Sequence, residues 1–256
     1  MAADLESLVE RFVSACLEVF GRARVEGIVL HGSAVKGGSI PGFSDVDFMV
    51  FLTPNAFDSQ GNLPDDAAFA MQERIGPLAW REAGVLYPQA YFYDARRLPD
   101  WWTGPAPGSF RVLFGRLPDQ AAPTAERLRA NAARYLQEEL SKRITSSVQN
   151  FADGDDASLS RRVRLLGTDV TPTVFSLVTP ASDDPLDLWS LPKFDALARL
   201  EALYPSDEGP ALARRFYEQV GALYGNEPFD AELARQAFRT GVAFLRWAEQ
   251  AAKAGA

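Results

Sequence analysis

Apolar runs of strand length occur only in the first 115 or so residues of this chain. Beyond Thr124 almost every apolar pattern has helical spacing. That division predicts an α+β chain: a small mixed sheet with flanking helices over residues 1–120, then an all-helical bundle over 121–256. Leu5, Leu8, Val9, Phe12, Val13, Cys16, Leu17 and Phe20 form an unbroken i, i+3, i+4 stripe, and Gly21 follows as a stop. Strands are expected at 27–31, 46–52, 86–93 and 111–114, in a sheet of four or five strands, with a helix at 67–81. The Pro- and Gly-rich stretch 99–108 cannot be regular, and its Trp101 and Trp102 are expected to bury against the helical part. Later helices are read at about 124–152, broken by Asp153-Gly154, and at 158–166, 192–203, 209–224 and 231–252.

Composition removes whole classes of chemistry. The chain has one cysteine and one histidine among 256 residues. A zinc cluster or an intramolecular disulfide is therefore excluded, and Cys16 lies in the helical stripe as a small buried hydrophobe. A Ser-His-Asp hydrolase would have to use His31, and no G-x-S-x-G elbow is present. A net charge of −8 argues against broad binding to nucleic acid. No apolar run approaches a membrane span and no basic, apolar leader begins the sequence, so a soluble, cytoplasmic protein without a membrane partner is expected.

The chemistry concentrates in His31-Gly32-Ser33, a Gly- and Ser-rich loop, and Ser44-Asp45-Val46-Asp47-Phe48. Gly-Ser directly after a strand makes a turn whose backbone can approach a ligand closely. The Ser33 hydroxyl and the loop N–H groups can donate to phosphate oxygens. Asp45 and Asp47 alternate at a strand start, so both carboxylates point to one face. Two like charges so close favour a cation between them, and magnesium takes carboxylate and phosphate oxygens.

An apolar strand, G-S, a loop, S-D-h-D with h apolar, and a second apolar strand together resemble the signature of the polymerase-beta-like nucleotidyltransferases. The resemblance covers about residues 25–115 in the order of elements. It implies transfer of a nucleotidyl group from a nucleoside triphosphate, ATP by preference, to a hydroxyl, with two Mg²⁺ ions. By the same resemblance Asp45 and Asp47 hold metal, Gly32 and Ser33 contact the triphosphate, and Ser44 shapes the site. Trp189-Ser190-Leu191-Pro192-Lys193-Phe194-Asp195-Ala196 is similar to the S-K-x-x-A segment of streptomycin/spectinomycin adenylyltransferases. There a helical domain closes over the nucleotide, which implies a phosphate-binding Lys193 and a preceding helix that begins at Thr171-Pro172-Thr173.

The pattern departs from that family at the third carboxylate. The aligned position is Gln89, which is neutral; Asp94 lies at the strand end on the opposite face. A bulge turning Asp94 inward, an acid from the helical part, or slow or absent transfer would each answer the gap. His31 is read as a residue supporting the loop, Lys36 as solvated, and Arg161, Arg162 and Arg164 as a salt-bridged helix face. The leading function is Mg-dependent nucleotidyl transfer to a small, aminoglycoside-like acceptor. The alternatives are a nucleotide-binding or regulatory protein with decayed catalysis and an antitoxin-type protein AMP-transferase.

Overall fold

The computed structural model describes residues 4–225 and 228–254. It divides into two compact units, Met1–Pro123 and Thr124–Ala256. The first begins with α1, Leu5–Phe20, capped by the Asp4 carboxylate, which accepts from Glu6 N at 3.3 Å. Gly21, at φ 77°, ends it. Strand β1 is Val25–His31, followed by one helical turn, α2, Ser33–Lys36, and by β2, Val46–Leu52. Helix α3, Asp65–Ile75, leads to β3, Pro88–Asp94, and β4, Phe110–Gly115. The four strands form one mixed sheet in the order β3-β2-β1-β4. β1 is antiparallel to both neighbours, and β2 runs parallel to β3.

Strand alternation sorts the sheet into two faces. Ile28, Leu30, Val46, Phe48, Val50 and Leu52 point to one, where they pack against Leu8, Phe12 and Cys16 of α1 and Met71 of α3. Phe12 and Phe48 stack with ring centroids 3.8 Å apart. Each ring contributes about 2–3 kcal/mol by burial. Val29, Met49 and Phe51 point to the other face, under Trp102 and Ala121. Within its own unit Trp102 packs against the rings of Tyr93 and Phe51 at 4.6 and 5.9 Å, a burial that the expectation of packing on the helical part did not include. Its indole N–H donates to the Ala121 carbonyl at 3.0 Å, which removes the cost of an unpaired buried donor. Trp101 beside it is exposed.

Two boundaries in this unit differ from expectation. Helix α3 stops at Ile75 before Gly76-Pro77, and only a 3₁₀ turn, Trp80–Ala83, follows. The loop after Gly32 contains the helical turn α2, too short to register as a periodic pattern.

The second unit contains α4, Ala125–Arg134, with Thr124 Oγ1 accepting from Arg127 N at 3.1 Å. A π-helical turn, Tyr135–Glu139, joins it to α5, Leu140–Ala152. Then come α6, Leu159–Val178; α7, Pro185–Ser190; α8, Lys193–Leu203; α9, Glu208–Gly225; and α10, Ala231–Ala254. The core is built from Leu140, Ile144, Leu166, Val170, Leu197, Phe216 and Phe244, all fully buried.

Helix α6 corrects the sequence reading, which ends a helix at 166 and starts another at Thr171. It passes through Pro172 without a break. An interior proline removes one backbone hydrogen bond and costs about 3 kcal/mol. Beside it, Thr173 Oγ1 and Tyr135 Oη donate to the Asp169 carbonyl at 2.7 and 3.2 Å, which fastens α6 to the π-helical turn. Burial of Val174, Phe175, Leu177 and Val178 beyond the proline offsets its cost. None of the described helices is long and apolar enough to cross a membrane.

Candidate functional site

The site begins at the C-terminal end of β1. Gly32 adopts φ 73° and ψ −153°, a conformation reserved for glycine, and turns the chain from strand into α2. The N–H groups of Val35 and Lys36 donate to its carbonyl at 3.1 and 3.0 Å. Glycine is required here for a second reason: a Cβ would lie 2.5 Å from Oδ2 of Asp47. The Gly-Ser turn and the second aspartate of the motif are thus in direct apposition.

That apposition follows from strand register. His31 of β1 pairs with Asp47 of β2, and Asp47 pairs with Gln89 of β3. The three form a row across the sheet, on the face that also carries Met49, Phe51, Tyr91 and Tyr93. Asp45 precedes β2 by one residue and alternates with Asp47. Ser44 is buried and organises the loop. Its Oγ accepts from Ile40 N at 2.9 Å, and its carbonyl accepts from Leu86 N at 3.0 Å. This ties the approach to β2 to the approach to β3.

Burial sets the charges around the turn. Desolvation, and next the charge of Lys36, pull His31 down to about 4, so its ring is neutral at pH 7. Its buried Nε2 has no hydrogen-bond partner among the described residues. Lys36, read from sequence as solvated, is partly enclosed, and burial lowers its ammonium to about 8. The sequence carried no signal for this, because nothing in the loop's composition revealed that α2 folds against the strand ends.

The third-carboxylate position is occupied by Gln89, beside Asp47. Gln89 Nε2 donates to Tyr91 Oη, and the Tyr91 and Tyr93 rings stack at 6.3 Å. Tyr91 is two residues from Gln89 and shares its face, as strand alternation predicts. Asp94 does not turn inward. β3 holds its register with β2 from Val46↔Pro88 to Leu52↔Asp94, without a bulge. Asp94 therefore lies at the far end of the strand, on the other face, and accepts from Arg96 N at 2.9 Å. Among the described residues no three of His, Cys, Asp and Glu cluster as metal ligands.

Lys193 belongs to the second unit, at the first position of α8. Its ammonium lies 5.6 Å from the ring centroid of the buried Tyr217 and 6.0 Å from that of Phe194. A cation at a helix N-terminus opposes the helix dipole, and an anion at the same place relieves both. The Thr171-Pro172-Thr173 segment is internal to α6, and the Thr171 and Tyr217 hydroxyls are hydrogen-bonded at 2.9 Å.

No protein-family model matches the sequence. No curated protein matches it either. The fold matches that of a spectinomycin adenyltransferase, AAD(9), from Enterococcus faecialis, whose crystal structure contains ATP and spectinomycin. The TM-score is 0.57 at 12% identity, over 94% of this chain and 99% of that one. This is a likeness of fold, and it agrees with the resemblance carried by the G-S and S-D-h-D motifs.

Proposed function

We propose that this protein moves a nucleotidyl group, AMP from ATP, to a hydroxyl of a small molecule. The observation that carries the reading is the apposition of the Gly32 turn and the Asp47 carboxylate at the end of an antiparallel strand pair. A glycine turn set directly against one of two alternating aspartates is what a metal-bound triphosphate needs. The fold shared with an adenyltransferase whose structure holds ATP and spectinomycin supports the same substrate classes.

In the reaction the acceptor oxygen attacks the α-phosphorus, the bond to the bridging oxygen breaks, and pyrophosphate leaves. Asp45 and Asp47 would hold Mg²⁺, which when bound supplies Lewis-acid stabilisation of charge on the triphosphate. Two carboxylates and substrate oxygens suit one such ion; for the second, Gln89 offers only a neutral amide oxygen. Gly32 and Ser33 would admit the triphosphate, with Lys36 as a nearby cation. Ser44 would keep the turn and the aspartates in register. The assignment of Lys193 to phosphate rests on the resemblance of its segment and on its place at a helix start. An amide cannot keep the hydroxyl proton, so water must take it if no other base is supplied. The net charge of −8 favours a cationic acceptor of the aminoglycoside kind. Use of ATP as donor fits a cytoplasmic protein.

Gln89 favours a second reading, a nucleotide-binding protein whose chemistry has decayed. Purified protein incubated with Mg²⁺, ATP labelled at the α-phosphate and a panel including spectinomycin and streptomycin separates the two. Labelled acceptor and released pyrophosphate are expected. ATP binding with no product from any acceptor would replace the enzyme reading by the second one.

A further inference from the structure

The second unit carries a cavity of about 320 Å³ between α5, α6 and α10, whose lining includes Ser158, Arg161, Arg162, Leu165 and Phe238. That volume suits a small organic molecule. The sequence reading expected the arginines here to be salt-bridged along a helix face. Arg164 is buried. Arg161 and Arg162 have no carboxylate within ion-pair distance among the described residues, in a chain with 34 acidic side chains. Arg162 donates from Nε to Ser158 Oγ at 3.0 Å.

The surroundings hold Arg162 in place. A Cβ on Gly154 would lie 2.3 Å from Arg162 Nε and 2.6 Å from Ser158 Oγ, so the backbone at Gly154 packs directly on the guanidinium. Both arginines also stand in the first turn of the twenty-residue helix α6, where cations oppose the dipole and no acidic residue balances them. The nearest acids are used otherwise: Asp155 accepts from Ser158 N at 3.0 Å, and Asp156 pairs with Arg235. Asp153 gives the lining one carboxylate against two guanidiniums. Leu165 and Phe238, the latter stacked on Phe151 at 3.9 Å, supply an apolar wall.

We infer that this cavity binds a small organic anion, with its phosphate or carboxylate on Arg161 and Arg162 and its apolar body against Leu165 and Phe238. The site lies wholly within the second unit and does not depend on the nucleotidyl-transfer reading. Phenyl phosphate, benzoate, phenol and inorganic phosphate are the probes, titrated without Mg²⁺ into the full chain with labelled leucine methyls. Phenyl phosphate or benzoate is expected to shift the Leu165 methyl resonances saturably, at least tenfold more tightly than phenol or inorganic phosphate. Arg162→Gln should weaken that binding at least tenfold and Arg161→Gln severalfold, with unchanged thermal melts showing that both variants fold. Arg162→Lys, which keeps the charge and loses the planar fork, should fall between. Absence of Leu165 shifts, equal binding of phenol, or equal binding by Arg161→Gln and Arg162→Gln would overturn the inference.

Discussion

The two ends of the β2–β3 pair each carry one aspartate, but on opposite strands. At one end Asp47 of β2 faces Gln89 of β3; at the other, Leu52 faces Asp94. β3 thus has an acid five positions from where a third carboxylate would complete the motif, about 17 Å away in extended chain. Five is also odd, so the Asp94 side chain leaves by the opposite face. A carboxylate near a site in sequence does nothing for it unless register and parity both agree. Here neither does, and the row His31–Asp47–Gln89 has one acid in it.

The contrast can be broken or sharpened by substitution. The largest effect is expected at the acidic end: Asp45→Asn and Asp47→Asn should each lower Mg²⁺-dependent transfer by about 10²–10³, equivalent to about 3–4 kcal/mol of lost electrostatic stabilisation. Folding should persist, because neither residue is part of the apolar core. Wild-type rates in both variants would remove the metal assignment.

The next effect concerns the row's desolvated histidine. His31 is held at about 4 against 6.5 for an exposed imidazole, so the unfolded chain binds its proton first. Stability should be flat above pH 6.5 from this residue and fall as pH drops from 6.5 toward 4, by about 3 kcal/mol in all. Denaturant melts across that range, compared with His31→Phe, measure the difference. Equal acid slopes in the two proteins would mean that the ring is solvated.

Gln89→Glu puts an acid into the row. It supplies both a proton acceptor and a further ligand, and transfer should rise about tenfold, toward the lower range of general-base contributions. An unchanged rate would show that the proton already has another acceptor. Asp94→Asn, at the far end, should alter transfer less than twofold. A large loss there would contradict the register argument itself.

Much of the fold is legible from local pattern. The stripe through Leu5, Phe12 and Phe20 needs only the helical repeat, and α1 spans it, with the Gly21 stop. The strands around Ile28 and Val50 are readable as apolar runs, since both are buried on two faces. Strand alternation alone assigns Gln89 and Asp94 to opposite faces. What local pattern misses is set by contacts distant in sequence. Helix α6 survives Pro172 because Val170, Val174 and Leu177 on either side of it are buried in the core of the unit. Trp102 is buried because Phe51, Tyr93 and Ala121 assemble around it.

The candidate site divides in the same way. The sequence by itself determined the ingredients and their local geometry: a glycine able to turn at positive φ, two aspartates alternating at a strand start, and a neutral amide where a third acid was expected. Those depend on steric limits and on a period of two, which act within a few residues. Tertiary structure decided which ingredients meet. Antiparallel pairing set Asp47 against His31 and pressed it to the Cα of Gly32, while parallel pairing set it beside Gln89 and left Asp94 at the other end. It also decided how far His31 and Lys36 are stripped of water. Register and desolvation depend on how residues far apart in the chain pack together, and no window of local sequence contains that information.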